Sequence, residues 1–120
     1  EGDGVVVATP TGSTGYSLSA GGPIVEPTAR NFVVSPICAH SIQSNSYVMS
    51  ATSTISVRPR DVGRKPVFLS VDGGRAFSLR AGDEVVIKNS RYETELIRLS
   101  DKSIYEILRI KMTGVLPYEK

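Results

Sequence analysis

No apolar run in this chain is longer than about five residues, and Gly, Pro, Asp or Ser interrupts the pattern at intervals of roughly 8–12 residues. Such a chain has little room for long amphipathic helices or βαβ units, and its pattern is that of many short strands. Val5-Val6-Val7-Ala8 is an apolar run stopped by Thr9-Pro10, and Phe32-Val33-Val34 is a second, expected to stop at Pro36. Thr54-Ile55-Ser56-Val57-Arg58 alternates polar and apolar residues with the period of two of a half-buried strand. Val67-Phe68-Leu69-Ser70-Val71 and Ala76-Phe77-Ser78-Leu79 flank Asp72-Gly73-Gly74-Arg75, a strong hairpin signal, because glycine tolerates the positive φ of a tight primed turn. Val85-Val86-Ile87 follows the turn-forming Ala81-Gly82-Asp83. Residues 93–99 form a weaker strand candidate, since Leu96 and Ile97 are adjacent and break the alternation. Helix is expected in two places. Residues 16–20 lie between glycines, and residues 103–112 place Ile104, Ile107, Leu108 and Met112 at helical spacing behind a Ser103/Glu106 capping box. The expectation is a mainly β chain, a two-sheet β-sandwich with one or two short helices, folded as a single domain over residues 1–120.

Composition narrows the function classes. The 120 residues carry 14 Lys and Arg against 12 Asp and Glu, a net charge of +2. The densest basic cluster, Arg58, Arg60, Arg64 and Lys65, is broken by Pro59, Asp61 and Gly63, so it reads as a solvated loop and nucleic-acid binding is not expected. No stretch approaches the ~20 apolar residues of a membrane span, and no partner membrane is expected. Cys38 is the single cysteine, which excludes an internal disulfide and fits a reducing cytoplasm. The first residue is Glu1, so the chain is expected to be part of a longer protein.

The richest segment in chemistry runs from Asp3 to Pro23. A strand enters a turn dense in Gly, Ser and Thr and then the first turn of a short helix. Glycines at 12, 15, 21 and 22 let a ligand approach the main chain, and backbone N–H groups at a helix start suit the acceptors of a nucleotide. Hydroxyls at 11, 13, 14, 17 and 19 both donate and accept, so they can read the edges of a base or sugar. No Lys follows the glycines as in a Walker loop, and the spacing is not GxGxxG. On spacing alone, a nucleotide cradle and a Gly/Ser connector capped by its own hydroxyls stand side by side.

The run Asp3-Gly4 followed by Ala8-Thr9-Pro10-Thr11-Gly12-Ser13-Thr14-Gly15-Tyr16-Ser17-Leu18-Ser19-Ala20-Gly21-Gly22-Pro23 resembles the signature of the C-terminal domain of NAD kinases. The likeness continues through residues 35–41, the Ser70-Val71-Asp72-Gly73 hairpin and residues 108–112. It implies a two-sheet β-sandwich that binds the adenosine part of NAD in an enzyme transferring the γ-phosphoryl of ATP to the 2′-hydroxyl of NAD's adenosine ribose. By that resemblance Asp3 contacts a ribose hydroxyl. Thr14, Gly15, Tyr16, Ser17, Leu18 and Ser19 form the NAD-binding segment, with Thr14 and Ser19 on base edges, Gly15 contributing main chain and Tyr16 an aromatic wall. Read without the resemblance, Asp3 is a turn aspartate and Tyr16 a core aromatic.

Two departures from the family pattern bear on binding. The family usually has Ala where this chain has Gly15, which is expected to loosen the turn. It often has Gln where this chain has Gly74, so Asp72 and Gly74 are only possible site residues, Asp72 being equally a turn-former. His40, alone near Cys38, reads as structural, and no metal ligand set is seen.

The resemblance also implies absences. Phosphoryl transfer needs a general base and a phosphate-cradling loop with a metal ion. In this family both come from a Gly-Gly-Asp-Gly-Thr motif in a preceding α/β domain, and that motif does not occur in these 120 residues. No catalytic residue is therefore assigned here. ATP and a divalent metal such as Mg are expected of the intact enzyme and not of this chain alone. The expected partners are NAD, the missing N-terminal α/β domain and further copies of the chain in a dimer or tetramer. Two other readings remain: a lipid or sphingoid kinase domain of similar architecture, and a non-catalytic nucleotide-binding module.

Overall fold

The computed structural model describes residues 2–38, 45–60, 62–63 and 65–113. His40 and Arg64 lie outside them. The chain is mainly β with two short helices, as expected. The single domain anticipated from the sequence is divided, however, into two compact units: residues up to Ala51 together with those from Arg91 onward, and Thr52–Ser90. The described strands form three small antiparallel sheets.

The first unit is built on a three-stranded sheet of β1 (Gly4–Ala8), β2 (Asn31–Ile37) and β3 (Tyr47–Ser50), in the order β1-β2-β3. Val7 faces Val34 and Ala8 faces Val33 across β1 and β2, while Val33 faces Val48 across β2 and β3. Phe32 and Val33 are neighbours in sequence and so point to opposite faces of β2, the middle strand, yet both are buried. Full burial of Val33 contributes about 2 kcal/mol relative to leaving it in water.

β2 does not stop at Pro36, which pairs with Val5 inside the strand. Among the described residues the pairing of β2 with β3 ends at Val34–Tyr47, so β3 asks for no N–H from Pro36.

A 3₁₀ turn, Thr11–Thr14, and α1 (Tyr16–Ser19) follow β1. The C-terminal helix α2 (Ile104–Thr113) starts where the capping box placed it. Glu106 N–H donates to Ser103 Oγ at 3.3 Å, and Ser103 N–H donates to Glu106 Oε2 at 2.6 Å. The Ser103 backbone bond, with help from the Ser103 side chain, holds the Glu106 carboxyl below the usual carboxylate range. The strand proposed for residues 93–99 does not form: that stretch is irregular and exposed throughout, with Leu99 95% accessible.

In the second unit β4 (Ile55–Val57) pairs with β7 (Val85–Ile87), and β5 (Val67–Leu69) with β6 (Phe77–Leu79). Ile55 is its buried anchor. Arg80 and Asp83 close the turn before β7: Asp83 N–H donates to Arg80 O and Arg80 N–H to Asp83 Oδ2, with Gly82 at φ 90° between them. Ser56 Oγ and Arg58 both donate to Glu84 Oε1, and these partners, the hydroxyl first, lower the Glu84 carboxyl's pKa.

Candidate nucleotide-binding bend

The bend between β1 and α1 is held from the inside. Ser13 is buried and uses its hydroxyl twice, donating to Pro10 O at 2.6 Å and accepting from Val25 N–H at 3.0 Å. It thus ties the 3₁₀ turn to the chain that returns after α1. Ser17 is 1% exposed and lies on the inner side of α1, its Oγ 3.3 Å from that of fully buried Ser35 on β2. Ser35 shares a face of β2 with Val33, two residues away, so α1 covers that face.

Helix α1 ends in a Schellman motif. Gly21, at φ 85°, donates its N–H to Leu18 O, and Gly22 donates to Ser17 O at 2.8 Å. Gly22 is needed for a second reason. A Cβ there would sit 2.5 Å from both Ser17 Oγ and Ser35 Oγ.

With Ser17 turned inward, helix geometry sends Tyr16 and Ser19 outward together, since residues three apart share a face. Tyr16 is 65% exposed, Ser19 is exposed, and Thr14 and Leu18 are half-buried. Thr14 Oγ1 reaches back to Thr11 O at a long 3.4 Å. The bend therefore presents an aromatic ring and two hydroxyls to solvent.

Two expectations change at this point. Ser17, placed among the nucleotide contacts by the resemblance, is interior and supports the bend instead. The amides expected to face a ligand are partly taken up inside: Gly12 N–H donates to Thr9 Oγ1, Ser13 N–H to Pro10 O and Gly15 N–H to Gly12 O. No residue from Gly4 to Val25 is charged. With several amides turned inward and no cation, the surface is poorly equipped for a phosphate. It suits a neutral, polar, aromatic group such as a nucleobase.

The other candidates belong to other segments of the chain. Asp3 is exposed and donates its N–H to Ile37 O at 2.9 Å. It precedes β1 while the bend follows it, so roughly 16 Å of strand separates them at ~3.3 Å per residue. Asp72 and Gly74 belong to the second unit. Asp72 (φ 50°) and Gly73 (φ 70°) are the central residues of a type I′ turn closed by Gly74 N–H to Val71 O at 2.9 Å. A Cβ at Gly74 would come within 3.0 Å of Val71 O. The sequence had singled out neither Ser13 nor Ser35 as interior supports, and the Gly21-Gly22-Pro23 helix stop was the available signal that the chain folds back tightly there. Among the described residues no three His, Cys, Asp or Glu side chains are grouped so as to hold a metal ion.

Residues 1–99 match the ATP-NAD kinase C-terminal domain, and the chain belongs to that family. It is 46% identical over 116 residues to an NAD kinase of Symbiobacterium thermophilum, covering 93% of this chain and 39% of the relative. It is 43% identical over 110 residues to an NAD kinase of Carboxydothermus hydrogenoformans, covering 92% and 39%. The chain thus spans about two fifths of the length of these relatives. A crystal structure of yeast NADH kinase complexed with NADH superposes with a TM-score of 0.68 at 42% identity, over 74% of this chain and 25% of that one.

Proposed function

We propose that this chain binds the adenine nucleoside part of NAD within an NAD kinase, whose reaction transfers the γ-phosphoryl of ATP to the 2′-hydroxyl of that nucleoside's ribose and yields NADP. The observation that carries the reading is the uncharged outer edge of the bend, formed by exposed Tyr16 and Ser19 with half-buried Thr14. In this reading the Tyr16 ring stacks on adenine, Thr14 and Ser19 hydrogen-bond its edges, and Gly15 allows close approach. Asp3, at the other end of β1 and so beyond the span of one nucleoside, accepts from a hydroxyl of the dinucleotide's other ribose. Asp72 and Gly74 form a turn that contributes little to binding.

The metal, the ATP cradle and the general base of that reaction are assigned to the part of its relatives that this chain does not span. The intact enzyme is proposed to be a cytoplasmic dimer or tetramer.

The test is NADP formation by two proteins: this chain alone, and this chain replacing the matching region of the Carboxydothermus hydrogenoformans enzyme. The hybrid is expected to turn over and the isolated chain is not. Tyr16→Ala in the hybrid should raise the KM for NAD about tenfold, the scale of one lost base–aromatic stack. An unchanged KM for that variant would sink the assignment of the bend, and turnover by the isolated chain at the hybrid's rate would sink the division of labour.

A further inference from the structure

Three serines form a hydroxyl chain beneath the bend. Ser46, just before β3, donates to Ser35 Oγ at 2.9 Å, and Ser35 Oγ lies 3.3 Å from Ser17 Oγ. Ser35 is completely enclosed, so water cannot replace either partner. Gly22 closes the cluster on the remaining side, since any side chain there would collide with both inner hydroxyls.

α1 is only one turn long, and its own hydrogen bonds cannot fix how it is rotated over the sheet. The side-chain hydrogen bond that ties its rotation to β2 is Ser17 against Ser35. Rotation is what decides whether Tyr16 and Ser19 face the ligand, because both are carried round with Ser17.

We infer that Ser35 is a positioning residue for nucleotide binding, acting from the middle strand through Ser17 to hold the Tyr16–Ser19 face outward. The inference rests on the proposed binding role of the bend. Ser35 never meets the ligand. Its hydroxyl sets an angle, where an apolar residue of the same size would only fill space.

The experiment is an NAD titration of the 120-residue chain followed by amide chemical shifts, alongside its thermal midpoint. Ser35→Ala should raise the Kd for NAD about fivefold, the scale of one buried hydrogen bond lost. It should also shift the ligand-free amides of Tyr16 to Ser19, while amides of the second unit stay in place. With Tyr16→Ala already present, the added effect of Ser35→Ala should fall below about twofold, because the two act on one contact. Ser46→Ala, which removes only the outer bond, should move the same amides less and serves if Ser35→Ala fails to fold. Ser78→Ala, exposed on β6, should leave the Kd unchanged.

The inference is overturned if Ser35→Ala, or Ser46→Ala in its place, lowers the thermal midpoint but leaves the Kd and the α1 amides as they were. It is overturned equally if the Ser35 and Tyr16 effects are fully additive. If Tyr16→Ala weakens binding and Ser35→Ala does not, this inference alone fails. If the unaltered chain gives no NAD-induced shifts, the binding role and this inference fail together.

Discussion

The bend at residues 11–22 and the hairpin turn at residues 70–76 are both glycine-rich connections beside a strand, and both carry residues that the sequence marks as candidates for a nucleotide site. They are held in different ways. Beneath the bend lie Ser13, Ser17 and Ser35, buried hydroxyls that bind main chain or one another. The hairpin has nothing buried under it: every residue from Ser70 to Ser78 is exposed, and its shape comes from two positive φ angles, one i→i+3 bond and a Ser70 Oγ bond to Gly74 O. A turn fixed by backbone preference alone holds its own path. A bend fixed from the core also holds the direction of its outward side chains, which a binding surface requires.

That contrast breaks most sharply at Gly22. Gly22→Ala forces a methyl against two hydroxyls and the Ser17 carbonyl, and should cost roughly 2–3 kcal/mol as an overpacked interior. Urea unfolding followed by amide hydrogen exchange in the first unit measures it. A loss no larger than that of an exposed alanine substitution would show that the hydroxyls are not held. Gly73→Ala should cost about 1 kcal/mol, confined to the second unit, because φ 70° is strained for any residue with a Cβ although the space is open. Equal losses at the two glycines would erase the distinction between the regions.

The smallest effect is expected at Gly15. Its φ of −91° is negative and an added Cβ meets only Gly12 O, at a tight 3.3 Å, so Gly15→Ala should cost about 0.5 kcal/mol, less than Gly73→Ala. The family's usual alanine is therefore accommodated with a slight adjustment, and the loosening expected from glycine here is small. A midpoint shift of several degrees in thermal unfolding would contradict that.

The parts legible in the sequence were those whose cause is local. β1, the Asp72-Gly73 turn, β7 and the Ser103/Glu106 cap each follow from adjacent residues that specify their own geometry. β3 was not anticipated. Its four residues are all exposed, so no buried alternation marks them, and pairing with β2 alone makes them a strand. Residues 93–99 show the converse, a strand-like composition without a partner strand among the described residues. The β2 extension through Pro36 depended on how far β3 runs beside it.

The site divided along the same line. Thr14, Tyr16 and Ser19 could be picked out as polar or aromatic groups on a bend. That Ser17 turns inward could not, because one helical turn is too short for a periodic pattern and the partner that claims Ser17 lies 18 residues away.

An interior lined with hydroxyls has a consequence for how this segment tolerates change. Methyl-lined cores accept many sequences of equal volume, because dispersion has no preferred heading. Under this bend each contact has an orientation as well as a size, so a swap that preserves bulk still scrambles alignment. Drift at Ser13, Ser17 and Ser35 should thus be narrower than burial alone would suggest, and aimed at keeping oxygen where oxygen stands.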